Sequence, residues 1–518
     1  MSMRNRVSGI LQLLVACTLA IAIHGENDDF SSIRREDFPQ DFLFGTASSA
    51  YQYEGAVAEG GRLPSIWDTY THKPGNTYDG SNGDVAMDQY HRYMEDVQLM
   101  ADIGMNAYRF SISWSRLIPN GSGEVNREGV DYYNKLIDEL LNHGIEPLVT
   151  IYHFDLPQAL QDSYDGWSDS KIVEDFAAYS KVCFREFGDR VKYWMTFNEP
   201  NIFVPLGYSA AIFPPQKHSK REAYLASRNV LLAHAASVEI YRTKYKAEQK
   251  GMIGIDILAT FFEPLRNTTE DQKAAQRLLD YHIGWFLDPL FHGDFPAHIK
   301  ETLGSEILSF SKEESLKLKG SLDFLAINHY STMYVANPPC PPDCLDKRFY
   351  VGMDVCLSDR RDGVPIGPEA AMKLFFVVPY GIQKILDYIR ITYNNPPVIV
   401  AENGFSEPTN DSLPISEVCR DKQRLDYHRD YMKYLLKGIR NGADVRGYMV
   451  WSLLDDFEFN YGYTIRFGLY YVDYGDNLKR YPKMSALWFK NLLRSNPILS
   501  ARWLKDSQRN NGQSLSSI

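Results

Sequence analysis

Lys192 to Pro200 reads KYWMTFNEP and Pro396 to Gly404 reads PPVIVAENG, and these two stretches decide the fold. Each is a run of aromatic and β-branched residues, the composition of a strand, that stops at a glutamate. Pro200 pushes Glu199 away from helical geometry, and Asn403-Gly404 is a turn signal, so both glutamates are expected at strand ends. Six further runs share this character: Phe42 to Tyr51, Ala107 to Trp114, Glu146 to Tyr152, Met252 to Thr260, Asp323 to Asn328 and Val445 to Trp451. With Val191 to Asn198 and Pro397 to Glu402 they make eight. Amphipathic stretches such as Asp131 to His143 and Arg424 to Asn441 lie between them, with apolar residues at three- and four-residue intervals. Eight alternating units predict an α/β protein, a single-domain (β/α)8 TIM barrel. A length of 518 residues suits such a barrel with insertions, read here at Asn337 to Gly367 and Ser406 to Ser416.

The ends of the chain read differently. Residues 1 to 25 carry Arg4 and Arg6 and then an apolar run from Ile10 to Ile23, the pattern of a cleaved secretory signal peptide. That run is short for a bilayer span, so no membrane association is expected. Residues 507 to 518 are polar and are expected to form a disordered tail, which leaves 26 to 506 as the folded body. The expected destination is the secretory pathway, ending in the extracellular space or a vacuole. Asn120, Asn267 and Asn410 head glycosylation sequons, which fits that route. Cys340, Cys344 and Cys356 cluster in a Pro-rich loop, where one bridge is expected in an oxidising compartment, its pairing open.

A net charge of −11 argues against a nucleic-acid partner, because phosphate binding needs a basic face. No His/Asp/Glu cluster has metal-ligand spacing, and no Gly-x-Ser-x-Gly elbow is present, so neither a metal, a cofactor nor a serine nucleophile is expected. What remains is the pair of strand-end glutamates. Glycosidic cleavage needs a proton for the leaving oxygen and a carboxylate at the anomeric carbon, which two glutamates facing one another across a barrel mouth can supply.

Six motifs in order carry a resemblance: FLFGTASSAYQYEG (Phe42 to Gly55), RFSISWSRL (Arg109 to Leu117), YHFDLP (Tyr152 to Pro157), TFNEP, ENG and WSLLDDFEF (Trp451 to Phe459). From Phe38 to Trp503 the chain resembles glycoside hydrolase family 1, the plant β-glucosidases. That resemblance implies a retaining β-glucosidase that releases the terminal β-D-glucosyl residue of small-molecule glucosides. It makes Glu199 the general acid/base, Glu402 the nucleophile and Arg109 a support for the nucleophile, holding it ionised and lowering its pKa. It implies substrate contacts from Gln52, His153, Asn198, Glu458, Phe459 and Phe467, with Trp451 beneath the sugar ring and Tyr330 bonded to the nucleophile. Glu458 is expected ionised, accepting from two sugar hydroxyls.

Four departures from the family pattern bear on specificity. Phe459 and Phe154 stand where most members have tryptophan, and Leu374 stands where a tryptophan commonly flanks the aglycone. The loop after TFNEP is shortened to Phe213 to His218 and lacks cysteine. The Phe-Glu-Phe ending is similar to that of transglucosidases, which move glucose from acyl or phenolic glucosides to another acceptor. That activity, and an inactive sugar-binding barrel, are the competing readings.

Overall fold

The computed structural model describes residues 33–304, 309–342, 344–345 and 353–494. The leader and the polar tail read from the sequence lie outside the described residues.

Eight parallel strands close into a barrel, as the alternation of runs predicts: β1 (Leu43–Ala47), β2 (Ala107–Ser111), β3 (Glu146–Tyr152), β4 (Tyr193–Phe197), β5 (Met252–Leu258), β6 (Phe324–Asn328), β7 (Val398–Asn403) and β8 (Val445–Val450). Each strand pairs with its neighbours in chain order, and β1 pairs with both β2 and β8 to close the ring. Every residue of β2, β6 and β7 is buried. Strands covered on both faces read as mostly apolar runs, which is why these stretches stood out in the sequence.

Two apolar layers hold the barrel. The inner one includes Ala47, Ala107, Leu148, Met195, Ile399 and Met449, contributed by six different strands. The outer one lies between sheet and helices. The helix Arg127–Asn142 shows how it is built: Asn126 caps it by accepting from the Glu128 N–H, and Val130, Tyr133, Leu136, Ile137 and Leu140 are buried. That cap starts the helix four residues before the apolar periodicity alone suggests.

Both insertions carry structure of their own. Phe261–Pro264, Thr332–Ala336 and Cys356–Ser358 form a three-stranded sheet beside the barrel, and Cys340 is bridged to Cys356. Cys344, the third candidate, is a free and exposed thiol. In the second insertion Glu407–Pro408 pairs antiparallel with Ile465–Arg466, which ties the segment after β7 to the segment after β8. No helix among the described residues is long and apolar enough to cross a membrane.

Inner-layer packing leaves no room at Gly45, which pairs with Ala107 across β1 and β2. A Cβ there would lie 2.3 Å from the Ala107 carbonyl oxygen and 2.5 Å from Met449 Sδ. Gly45→Ala is expected to destabilise the fold by about 1–3 kcal/mol, the usual cost of overpacking. Chemical denaturation of both proteins checks this through a lower midpoint for the variant.

Candidate active site

Glu199 stands just beyond β4, at the N-terminus of the short helix Pro200–Val204, with left-handed backbone angles of φ 40° and ψ 58°. Pro200 excludes right-handed helical geometry from its predecessor, and the Glu199 N–H is secured by the Asp256 carbonyl at 2.9 Å. Glu402 is the fifth residue of β7, one short of the strand end expected from the turn signal. The register of β7 against β6 shifts between Val400 and Glu402, so that Glu402 pairs with Asn328. Such irregularities re-aim a side chain at the rim of a barrel.

Arg109, on β2, is fully buried and radiates to four other parts of the ring. Its Nε donates to Thr150 Oγ1 at 3.0 Å, one terminal nitrogen donates to Glu402 Oε1, and the other donates to Asn198 Oδ1 at 2.7 Å. It also forms a 2.8 Å ion pair with Asp256 Oδ2. Tyr330 donates its hydroxyl to Glu402 Oε2 at 2.7 Å. Glu199 has a neutral partner instead, the Asn328 amide donating to Oε1 at 2.7 Å.

These partners set an order of protonation. Burial, then the charge of Glu402, pushes Glu199 well above the usual carboxylate range, and Asn328 offsets only part of that. Burial raises Glu402 as well, but Arg109 and Tyr330 both pull it back. Arg109 lowers the Glu402 pKa as expected, but the net direction is upward, because desolvation outweighs the guanidinium. Between the two, Glu402 is the group that ionises first.

All ten of the substrate and catalytic positions expected from the sequence line one cavity of about 520 Å³. That size is ordinary for a small-molecule site. At its floor Gln52 is fully buried, accepts from Ser49 Oγ at 2.7 Å and donates to Glu458 Oε2 at 3.0 Å. Burial, then the Glu402 charge, pushes Glu458 up to about 8. That push works against the ionised Glu458 expected from the resemblance, and the Gln52 amide offsets part of it. Burial and Arg109 hold His153 neutral, and its Nε2 faces the Asn198 amide at 3.1 Å, which puts the ring proton on Nδ1. Phe459 is nested among Trp67, Phe154 and Phe213, with ring centroids 4.5, 5.4 and 6.1 Å away. Phe467 meets the Tyr330 ring edge-on.

Asp256 and Asn328 escaped the sequence reading. Asp256 had a visible signal, a lone acid inside the apolar strand MIGIDIL, whereas Asn328 is one amide beside the INHY tyrosine and had none. The sequon asparagines Asn120, Asn267 and Asn410 are all exposed, away from the cavity lining. Among the described residues no group of three or more His, Cys, Asp or Glu is arranged to hold a metal.

A parallel barrel whose mouth pairs two buried glutamates over a hydrogen-bonding floor defines the class: a barrel hydrolase of glycosidic bonds. Residues 34–498 match the model of glycosyl hydrolase family 1. The chain belongs to that family. It is 54% identical to the coniferin β-glucosidase of Pinus contorta over 475 residues, 89% of this chain and 92% of the relative. It is 49% identical to β-glucosidase 6 of Oryza sativa subsp. japonica over 478 residues, with the same coverage of 89% and 92%. A crystal structure of a rice β-glucosidase superposes with a TM-score of 0.87 at 49% identity, covering 90% of this chain and 100% of that one. One from the fungus Humicola insolens in complex with glucose gives 0.84 at 37% identity, covering 89% and 98%.

The donor from Tyr330 gives a direct test of the electrostatics. Tyr330→Phe keeps the ring stacked on Phe375, 4.9 Å away, and removes only the hydroxyl bonded to Glu402. A hydrogen bond to a charged group contributes about 1.5–3 kcal/mol, so kcat/KM should fall at least roughly tenfold. Losing a donor to the carboxylate raises the Glu402 pKa, so the acidic limb of the kcat/KM profile should move to higher pH. A profile recorded on both proteins reads both effects.

Proposed function

We infer that this chain is a retaining β-glucosidase acting by double displacement, with Glu402 as nucleophile and Glu199 as general acid/base. The observation that carries the roles is the asymmetry of partners. Glu402 has a guanidinium and a phenol that favour its charged form, and Glu199 has a neutral amide and faces a negative neighbour. In the first step the Glu402 carboxylate bonds to the anomeric carbon while the bond to the aglycone oxygen breaks, and Glu199 gives that oxygen its proton. In the second step the Glu199 carboxylate takes a proton from water, the water oxygen bonds to the anomeric carbon, and Glu402 is released as carboxylate. Esterifying Glu402 removes the charge that helps to keep Glu199 protonated, so the acid of the first step becomes the base of the second.

The relatives support the substrate class. The pine and rice proteins are named as β-glucosidases, and a mutant of a rice family member is described in a covalent complex with glucose. The transglucosidase reading of the Phe-Glu-Phe ending is not favoured by those names, and two intact carboxylates leave no support for an inactive barrel. In the sugar pocket we assign Gln52, His153, Asn198 and Glu458 to the glucose hydroxyls, and the Trp451 face to its C–H surface. Phe459 and Phe467 complete the apolar wall.

Truncating the two glutamates separates their roles. Glu402→Gly should lose activity on every leaving group, whereas Glu199→Ala should still release an activated phenol and then stall. Azide, which needs no base, should restore turnover, giving the β-glucosyl azide from Glu199→Ala and the α-glucosyl azide from Glu402→Gly. Proton NMR of the products decides, and an α-azide from Glu199→Ala would reverse the assignment.

We also propose that the protein travels the secretory pathway to the apoplast or a vacuole. The leader-like residues 1 to 25, the exposed sequons and the Cys340–Cys356 bridge support this, since such bridges persist in oxidising compartments. Mass spectrometry of protein from the native tissue should find an N-terminus near Glu26 and a mass that drops on enzymatic deglycosylation. An intact Met1 would overturn it.

A further inference from the structure

Tyr78 is 71% exposed, yet it lines the cavity that holds Glu199 and Glu402. Exposure orders that cavity from floor to mouth: Gln52 is fully buried and Trp451 is 3% exposed, while Tyr78 and the Lys373 side chain, at 73%, stand at the outer end. The Tyr78 ring meets the Tyr461 ring edge to face with centroids 4.8 Å apart. Such a pair presents a broad π surface to whatever leaves the cavity.

The segment bearing Tyr78 is fixed in place by its backbone. The Tyr78 N–H donates to the Asn460 carbonyl at 2.8 Å, and the Tyr463 N–H donates to Asp79 at 2.8 Å. Asn460 in turn donates to Tyr70 and to the Asn76 carbonyl. The Tyr461 hydroxyl accepts from the Lys373 N–H at 3.1 Å. The rings are therefore held before any ligand arrives, which lowers the entropic cost of binding.

Between the catalytic pair and this rim the wall is largely apolar, with Ile202, Leu206, Met333, Met372 and Leu374. The Ser331 hydroxyl there is committed to the protein, its Oγ donating to the Leu374 carbonyl and accepting from the Phe376 N–H. A second sugar ring would leave hydroxyls unpaired against methionine and leucine, at a desolvation cost. A flat aryl group would not.

We propose that Tyr78 and Tyr461 form an outer aromatic platform that binds the distal part of a planar conjugated aglycone, one that extends beyond a single ring. This deepens the β-glucosidase reading and rests on it for the position of the glucose. The aglycone ring occupies the apolar stretch, and its conjugated extension meets the Tyr78–Tyr461 pair. Leu374 contributes shape to that path but no stacking surface, while Phe154, Phe213 and Phe375 line the same cavity and the Tyr78–Tyr461 pair extends its aromatic surface to the rim.

The test compares kcat/KM for 4-(3-hydroxypropenyl)phenyl β-D-glucoside, methyl β-D-glucoside and cellotriose in the wild type, Tyr78→Ala and Tyr78→Phe. The ratio of the aryl to the methyl substrate should fall roughly 3- to 10-fold in Tyr78→Ala, as expected for losing one aromatic contact, and return in Tyr78→Phe. An unchanged ratio, or a loss confined to cellotriose, would overturn the proposal. Calorimetry with the free 4-(3-hydroxypropenyl)phenol gives a readout independent of turnover, and its Kd should weaken by a similar factor in Tyr78→Ala. If the wild type cleaved no glucoside but bound the phenol through Tyr78, the glucosidase reading alone would fail. Equal Kd values for wild type and Tyr78→Ala would remove the platform.

Discussion

The guanidinium of Arg109 is the interaction on which the site depends. Taking it out of water is costly, and the barrel offsets that cost with two carboxylates, Asp256 and Glu402, and two neutral oxygens, on Thr150 and Asn198. Those partners come from β3, β5, β7 and the end of β4, so closing the barrel and assembling the site are one event. One cation cannot ionise every acid around it. Burial pushes Asp256 up to about 7 and Glu458 to about 8, and it raises Glu199 well above the usual carboxylate range. Burial thus favours the protonated form of Glu199, where cleavage of a glycosidic bond needs an acid, while Arg109 and Tyr330 favour the charged form of Glu402.

A second buried charge cluster steadies the floor of the cavity. After β8 the chain runs through Trp451 and Glu458, and between them Asp455 binds Arg466 at 2.9 Å and Lys483 at 2.5 Å. Despite full burial, these cations hold Asp455 below the usual carboxylate range. The next residue behaves in the opposite way. Burial, then Glu458 and Asp455, pushes Asp456 well above that range. Two adjacent aspartates of the same loop are therefore shifted in opposite directions, Asp455 by its cations and Asp456 by burial and its negative neighbours.

Local chemistry made much of this legible. β-Branched and aromatic runs stopped by turn residues marked all eight barrel strands, because strands buried on both faces are predominantly apolar. Pro200 and Asn403-Gly404 marked where the glutamates stand for equally local reasons. The cysteine cluster marked a bridge, but spacing alone left open which of Cys340, Cys344 and Cys356 would pair. Asn328 was invisible, since a single amide acquires meaning only from what it faces.

The sequence by itself determined the barrel, the order of its strands and the presence of two strand-end glutamates, because periodicity and turn chemistry act over a few residues. Tertiary structure alone decided the protonation of those acids. Residues as distant in the chain as Arg109 and Glu402 meet only when the barrel closes, and burial is a property of the closed barrel. Hence Glu402 is raised despite its guanidinium, and Glu458 is pushed up to about 8, which its residue type does not suggest. Asp455 and Asp456, identical in sequence terms, part company because one side chain meets Lys483 and Arg466 and the other meets Glu458.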